Sequence, residues 1–158
     1  MKILILILGF ILIPFNSCAQ QKNIPELEAH FSALIVKDID ASLIWYTKML
    51  GFNIMDNSEF PEIGLKQSNL QRGNSKIELI ELNSALKPTE VIPNYNSKTR
   101  LIGLFKIGFL VSEFDKLMDH LKENDVNFHG NVVINEATGK RMVIIKDPDE
   151  NRIQIFEN

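Results

Sequence analysis

Ile77-Glu78-Leu79 returns near the end of the chain as Ile153-Gln154-Ile155, and this repeat decides the fold. Val36 and Val111 lie 75 residues apart, and Glu78 and Gln154 lie 76 residues apart. Segments that stay in register over such a distance indicate a duplicated module. Each copy contains a strand, a helix and a closing run of strands. The sequence therefore predicts an α+β domain of two tandem βαβββ modules that form a curved, cup-shaped mixed β-sheet.

The length and composition fit a single globular domain. The chain has 158 residues, of which 45% are hydrophobic and 23% are charged, and this is too short for two independent domains plus a leader. We place the domain at residues 30–158, with modules at about 30–82 and 104–157 and a linker at 83–103. The formal net charge is -3 and the basic residues form no dense cluster. A nucleic acid is therefore not an expected partner.

The N-terminus has the pattern of an export signal. Lys2 precedes an apolar run over residues 3–15, and small residues follow it. A helix that spans a bilayer needs about 20 apolar residues, so the run is too short for a comfortable span. We predict a signal peptide at residues 1–18 and a tether at residues 19–29.

Cys18 is the only cysteine in the chain, which excludes an intrachain disulfide. The segment around it resembles a bacterial lipoprotein signal, in which the cysteine becomes the first mature residue and is lipidated. This resemblance implies a cell-envelope protein with a lipid anchor as its membrane partner. Ordinary cleavage after Ala19 is the alternative, and it predicts a secreted or periplasmic protein.

Residues 31–36 and 106–111 are predicted to be the first strands of the two modules. Apolar and other side chains alternate along the second of these segments, as in a strand with one buried face. Its apolar face holds Ile107, Phe109 and Val111. Lys106 must then point to the other face. A further short strand is predicted over residues 126–128.

A helix is predicted after the first strand of each module. In the first helix, apolar residues recur at helical spacing as Ile39, Leu43, Tyr46 and Leu50. Asp40 is predicted to cap this helix and Gly51 to end it. The second helix is expected to begin with a capping box of Ser112 and Asp115.

A family resemblance becomes specific once these motifs are taken together. The motifs are Leu34-Ile35-Val36-Lys37-Asp38-Ile39-Asp40-Ala41-Ser42, Trp45-Tyr46, Leu50-Gly51-Phe52, Asp147-Pro148-Asp149 and Asn151-Arg152-Ile153. They resemble the glyoxalase, bleomycin-resistance and extradiol-dioxygenase superfamily, also called the vicinal oxygen chelate (VOC) superfamily. The resemblance spans Phe31 to Glu157 and implies the glyoxalase-like fold. It does not select one activity, because this fold serves isomerases, dioxygenases and metal-free drug-binding proteins.

In metal-dependent relatives, four ligands come from equivalent strand positions, and the resemblance places these at Phe31, Glu78, Lys106 and Gln154. Only Glu78 is a normal ligand, because phenylalanine has no donor atom, an ammonium group repels a cation and Gln154 offers a neutral carbonyl. No cofactor is therefore expected. The alternative is a divalent-metal-dependent lyase, isomerase or dioxygenase-like enzyme that uses Glu78 with His30 or His129.

Our favoured hypothesis is a cup that binds a small organic molecule without metal. The predicted cup residues are Phe31, Ala33, Ile35, Glu78, Ile80, Lys106, Gly108, Leu110, Gln154 and Phe156. They are mostly apolar with a few convergent polar groups, as in many ligand pockets. Lys106 is expected either to pair with Glu78 in the place of the lost metal or to bind an anionic ligand there. A non-catalytic scaffold for envelope contacts is a second alternative, no catalytic residue is assigned, and a homodimer is a possible assembly.

Overall fold

The computed structural model describes residue 25 and residues 27–96, 98–99 and 101–158. Its elements, in chain order, are β1 Ser32–Val36, α1 Ile39–Leu50, β2 Asn53–Phe60, a 3₁₀ turn Pro61–Ile63, β3 Leu65–Arg72, β4 Ser75–Leu82, α2 Pro88–Val91, β5 Ile107–Val111, α3 Phe114–Glu123, β6 Val133–Ile134, β7 Arg141–Lys146 and β8 Arg152–Glu157. The leader 1–18, Cys18 and Ala19 lie outside the described residues. Within the described residues, no helix has the length and apolar character needed to cross a membrane.

Each module forms one four-stranded mixed sheet. The strand order is β1-β4-β3-β2 in the first sheet and β5-β8-β7-β6 in the second. The first strand of each module runs parallel to the last, and the remaining pairs are antiparallel. The two sheets thus have the same topology, which confirms the predicted pair of βαβββ modules. No hydrogen-bonded strand pair joins the sheets in the described part of the chain.

The two modules share one hydrophobic core. Apolar side chains at alternate strand positions are buried, so Leu34 and Val36 face inward from β1 while Ile153 and Ile155 face inward from β8. The buried stripe of α1, including Tyr46, belongs to the same cluster. The face of each sheet that points away from this core is available for a ligand-binding site.

The helix ends differ in part from the predictions. Gly51 ends α1 with φ of 64°, a left-handed conformation that favours glycine, so this prediction is confirmed. The predicted Asp40 cap is wrong, because Asp38 is the N-cap and accepts a hydrogen bond from Ala41 N at 3.0 Å. Asp38 is extended and lies just before the helix, where its side chain can reach the first free N–H groups.

The predicted capping box of the second helix is also wrong. Glu113 is the N-cap of α3 and its side chain makes no capping hydrogen bond. Asp115 instead binds the Arg141 guanidinium at 2.6 Å. The strand predicted over residues 126–128 is reduced to one bridge between Phe128 and Ile145.

Candidate ligand-binding site

The first half of the predicted cup is the outer face of the first sheet. Ala33 pairs with Glu78 and Ile35 pairs with Ile80, so these four side chains lie on the same face. Phe31 directly precedes β1 and is 54% exposed. The structure thus brings the five predicted residues of the first module together on one sheet face.

Glu78 already has a hydrogen-bond partner on this face. It accepts from Gln67 Nε2 at 2.6 Å across the β3–β4 pair. The neighbouring amide of Asn69 donates to Asp56 Oδ1 at 2.8 Å. Amides and carboxylates therefore form a polar strip beside the apolar side chains of β1 and β4, and the sequence analysis missed its members on β2 and β3.

The second half of the predicted cup is the outer face of the second sheet. Gly108 pairs with Gln154 and Leu110 pairs with Phe156. A Cβ atom at Gly108 would lie 3.2 Å from Phe156 Cε2, so the absence of a side chain lets the aromatic ring lie close over the strand. The predicted residues of β5 and β8 thus share one face of the second sheet. Glu78 lies on the first sheet, which has no hydrogen-bonded strand pair with the second in the described part of the chain.

Gln154 is the most buried polar group on this second face. Its side chain is 5% exposed, and its Nε2 lies 2.9 Å from Met142 Sδ, a weak acceptor. Its Oε1 has no hydrogen-bond partner among the described residues. A buried carbonyl without a donor costs about 1–3 kcal/mol, and this oxygen is shielded from solvent, so a ligand on the face does not reach it in this conformation.

Lys106 lies beside aromatic and cationic neighbours. Its Nζ is 5.9 Å from the centroid of the Phe105 ring. The Arg152 guanidinium carbon is 4.6 Å from the same centroid. The predicted ion pair of Lys106 with Glu78 does not form, because Glu78 is on the other sheet and binds Gln67.

Two cavities lie near these faces. The first has a volume of about 450 Å³ and is lined by residues including Phe52, Arg72, Phe109 and Leu110. The second has a volume of about 700 Å³, lies beneath the linker, and is lined by residues including Leu104, Phe105, Lys106 and Arg152. Of the ten predicted cup residues, Leu110 lines the first cavity and Lys106 lines the second. The other eight line neither cavity.

A hydrogen bond across the module boundary anchors the turn whose residues line the second cavity. The Tyr46 hydroxyl donates to Asp147 Oδ2 at 3.0 Å, and both residues are buried. Burial raises the pKa of the Tyr46 hydroxyl and of the Asp147 carboxyl, although hydrogen bonds to the carboxylate oppose the latter shift. Asp147 also accepts from the Asn151 backbone and amide, so it organises the turn between β7 and β8 that lines the cavity.

The family's metal-ligand positions do not fit a divalent cation. Their members are an aromatic ring, a carboxylate already hydrogen-bonded to Gln67, an ammonium group and a buried amide. The described residues contain no group of three His, Cys, Asp or Glu side chains that could hold a metal ion. A hard divalent cation prefers several oxygen ligands, and a neighbouring ammonium group opposes its binding.

The histidines of the alternative hypothesis lie apart from such a set. His30 precedes β1 and its ring contacts the Phe31 ring edge to face, at 5.6 Å between centroids. The backbone N–H of His129 donates to the Ile144 carbonyl at 2.7 Å, on the second module. The described structure therefore supplies no combination of Glu78 with these histidines that resembles a metal centre.

Comparison with known proteins tests the fold and the resemblance. The family model of the Glyoxalase/Bleomycin resistance protein/Dioxygenase superfamily matches residues 29–155. The chain belongs to this superfamily. The resemblance carried by the sequence motifs is confirmed, and so is the glyoxalase-like fold of two modules.

Relatives of this superfamily member include the uncharacterized protein YwkD of Bacillus subtilis (strain 168). The two are 27% identical over 128 residues, covering 81% of this chain and 94% of YwkD. A glyoxalase family protein from Enterococcus faecalis has a TM-score of 0.70 at 22% identity, covering 82% of this chain and 97% of that one. The trypanothione-dependent glyoxalase I of Leishmania major has a TM-score of 0.62 at 20% identity, covering 83% and 87%. These structural likenesses establish a shared fold.

The sequence analysis missed two residues beside Lys106. Phe105 is its neighbour in the chain, and Arg152 opens β8. The parallel pairing of Ile107 with Ile153 brings the preceding residues, Lys106 and Arg152, to the same end of the sheet. The sequence could have indicated this pair of cations, because the repeat implies that β5 and β8 are neighbouring strands. Finding it required noticing that Lys106 and Arg152 precede the paired residues of these two strands.

Proposed function

We propose that this VOC-superfamily domain binds a small organic molecule without a metal ion. The observation that carries the proposal is the environment of Lys106, a family metal-ligand position. Its ammonium group lies over Phe105, with Arg152 on the same ring and without a carboxylate partner in the described structure. Two cations at this place disfavour a third, whereas they do not oppose an organic ligand.

The second cavity supports the choice of a small molecule. Its volume of about 700 Å³ lies within the common range for small-molecule sites, roughly 300–1,000 Å³. Apolar side chains such as Leu101, Leu104 and Ile107 alternate in its wall with charged groups. Such a lining offers both contact area and orientation to an organic compound.

We also propose that this domain works at the cell envelope, attached through a lipid on Cys18. The support is the leader itself, in which Lys2, the apolar run 3–15 and a single cysteine follow in the order of a lipoprotein signal. The residues between Cys18 and β1 would then tether the domain to the membrane surface.

The test is elemental analysis of the mature domain, purified from its native compartment, followed by ligand screening before and after treatment with a chelator. We expect substoichiometric metal and the same ligand affinities in both preparations. Stoichiometric metal, or ligand binding that the chelator abolishes, would support the metal-dependent enzyme instead. A domain that binds no small molecule in either preparation would support the envelope scaffold.

A further inference from the structure

Two cations in the second cavity share one aromatic ring and have no anionic partner in the part of the chain that the structure describes. Lys106 Nζ and the Arg152 guanidinium carbon are 5.9 Å and 4.6 Å from the Phe105 centroid. Neither forms an ion pair with any carboxylate of the described residues. A guanidinium group stacked on a ring keeps its N–H donors free at its edge. Both cations therefore retain donors for an anion.

The other charges in this cavity are paired. Lys87 Nζ lies 3.7 Å from Asp149 Oδ1, and Lys146 Nζ lies 2.9 Å from Glu150 Oε2. Asp149 also accepts from the Lys37 backbone N–H at 2.8 Å. The lining carboxylates are thus engaged by other groups, and Lys106 and Arg152 are left as an excess of positive charge in a chain whose net charge is -3. A concave surface with one sign of excess charge attracts ligands of the opposite sign.

Apolar side chains are left open beside these cations. Leu101, Leu104 and Phe105 line the cavity, and each is more than half exposed. Open apolar side chains next to a charged group match a ligand that has an apolar part and an ionised head. An inorganic anion would interact with the two cations but would make no contact with these apolar side chains.

We propose that the second cavity binds a small organic anion, with its carboxylate or phosphate held between Lys106 and Arg152 and its apolar part against Leu101 and Leu104. This inference rests on the proposed function and adds the class of ligand. Charge-assisted hydrogen bonds to carboxylates and phosphates are stronger than neutral ones, and arginine can bind either group through two N–H donors. The fold supplies the geometry, because the parallel β5–β8 pair brings the two cations to one end of the sheet.

The experiment uses benzoate, phenyl phosphate and neutral benzamide as probes of the chelator-treated domain. Binding is measured by titration calorimetry and by chemical shifts of the labelled protein. The variants are Lys106→Met and Arg152→Met, and the matched control is Lys122→Met, which removes an exposed charge on α3 outside the cavity. Thermal unfolding of every variant shows whether it is folded, and Phe105→Leu is a second test that keeps both charges while removing the ring.

We expect at least one of the two anions to bind with shifts at the cavity, and to bind at least tenfold more tightly than benzamide. Lys106→Met and Arg152→Met should each weaken that binding about tenfold or more, as expected for loss of a charge-assisted hydrogen bond. Phe105→Leu should weaken it, and Lys122→Met should leave it unchanged. The affinity should fall as salt is raised. The preferred probe distinguishes a carboxylate ligand from a phosphate ligand.

Equal binding of benzoate, phenyl phosphate and benzamide would overturn the anion site while leaving metal-free binding intact. Anion binding that survives both charge-removing variants, or no anion binding at millimolar concentration, would overturn it as well. Anion binding that requires added metal would contradict both this inference and the proposed function. The two failures are therefore distinguishable.

Discussion

The hydroxyl of Tyr46 donates a hydrogen bond to Asp147 Oδ2 across the boundary between the modules, at 3.0 Å. Tyr46 comes from the first helix, and Asp147 opens the turn that precedes β8. Because this turn also lines the second cavity, the bond couples the packing of the two modules to the shape of the candidate site.

Tyr46→Phe should destabilise the domain by about 2 kcal/mol, because it leaves a buried carboxylate with one donor fewer. Urea unfolding followed by circular dichroism measures the change. Tyr95→Phe is the matched control, since Tyr95 is partly exposed and its hydroxyl makes no hydrogen bond within the described residues. A Tyr46→Phe domain as stable as the wild type would show that the bond contributes nothing net.

The ion pair of Arg141 with Glu157 predicts a pH dependence of stability. Hydrogen bonds from Arg141 lower the pKa of Glu157 from 4.5 to about 2. The folded state then binds this proton more weakly than the unfolded state, so the stabilisation is present above pH 4.5 and is lost as the pH falls towards 2. In Glu157→Gln, the free energy of unfolding should fall less over this window than in the wild type.

Urea unfolding at several pH values between 7 and 2 tests this expectation. Glu123→Gln is the control, because Glu123 is an exposed carboxylate of α3 and has no ion pair among the described residues. The control should follow the wild-type pH profile. Parallel profiles for Glu157→Gln and the wild type would contradict the role of this pair.

Glu78 should be coupled to Gln67 and not to Lys106. A double-mutant cycle with Glu78→Ala and Gln67→Ala should give a coupling free energy of about 1 kcal/mol, because their side chains are hydrogen-bonded at 2.6 Å. A cycle with Glu78→Ala and Lys106→Met should give less than about 0.3 kcal/mol, as expected for separate sites. Strong coupling in the second cycle would mean that the two sheet faces meet in solution.

Added zinc, nickel, manganese or ferrous iron should leave the melting temperature nearly unchanged. A metal that binds the native state alone raises it through mass action, and the four family positions here lack a suitable ligand set. Differential scanning fluorimetry over a range of metal concentrations measures the shift. A saturable rise that disappears in Glu78→Ala would restore the metal-dependent alternative.

Lipid attachment should depend on Cys18. Cells grown with a labelled fatty acid should incorporate the label into the wild-type protein and not into Cys18→Ser, because the thiol is the proposed attachment atom. Membrane fractionation with the same two proteins provides the second measurement. Equal labelling of both, or no label in either, would favour ordinary cleavage after Ala19.

The sequence by itself determined the duplicated architecture. The topology follows from the repeat, in which Ile77-Glu78-Leu79 returns as Ile153-Gln154-Ile155. The buried faces follow from the alternation of side chains along each strand, because successive residues of a strand point to opposite faces of the sheet. The identity of the side chains at the four family metal-ligand positions could also be read from the sequence, while their failure to bind a metal ion stays a prediction. The caps were harder, because Asp38 and Asp40 are both plausible and a one-residue shift of the helix start decides between them.

Only the tertiary structure decided the partners of the candidate site residues. Glu78 meets Gln67 because β3 and β4 pair in one particular register, and Tyr46 meets Asp147 because the two modules pack through a shared core. Phe105 joins Lys106 and Arg152 through the path of the chain into β5 and the parallel pairing with β8. The contacts of Tyr46 with Asp147 and of Phe105 with Arg152 join residues far apart in the chain, so they depend on packing and on the path of the loops rather than on a local pattern.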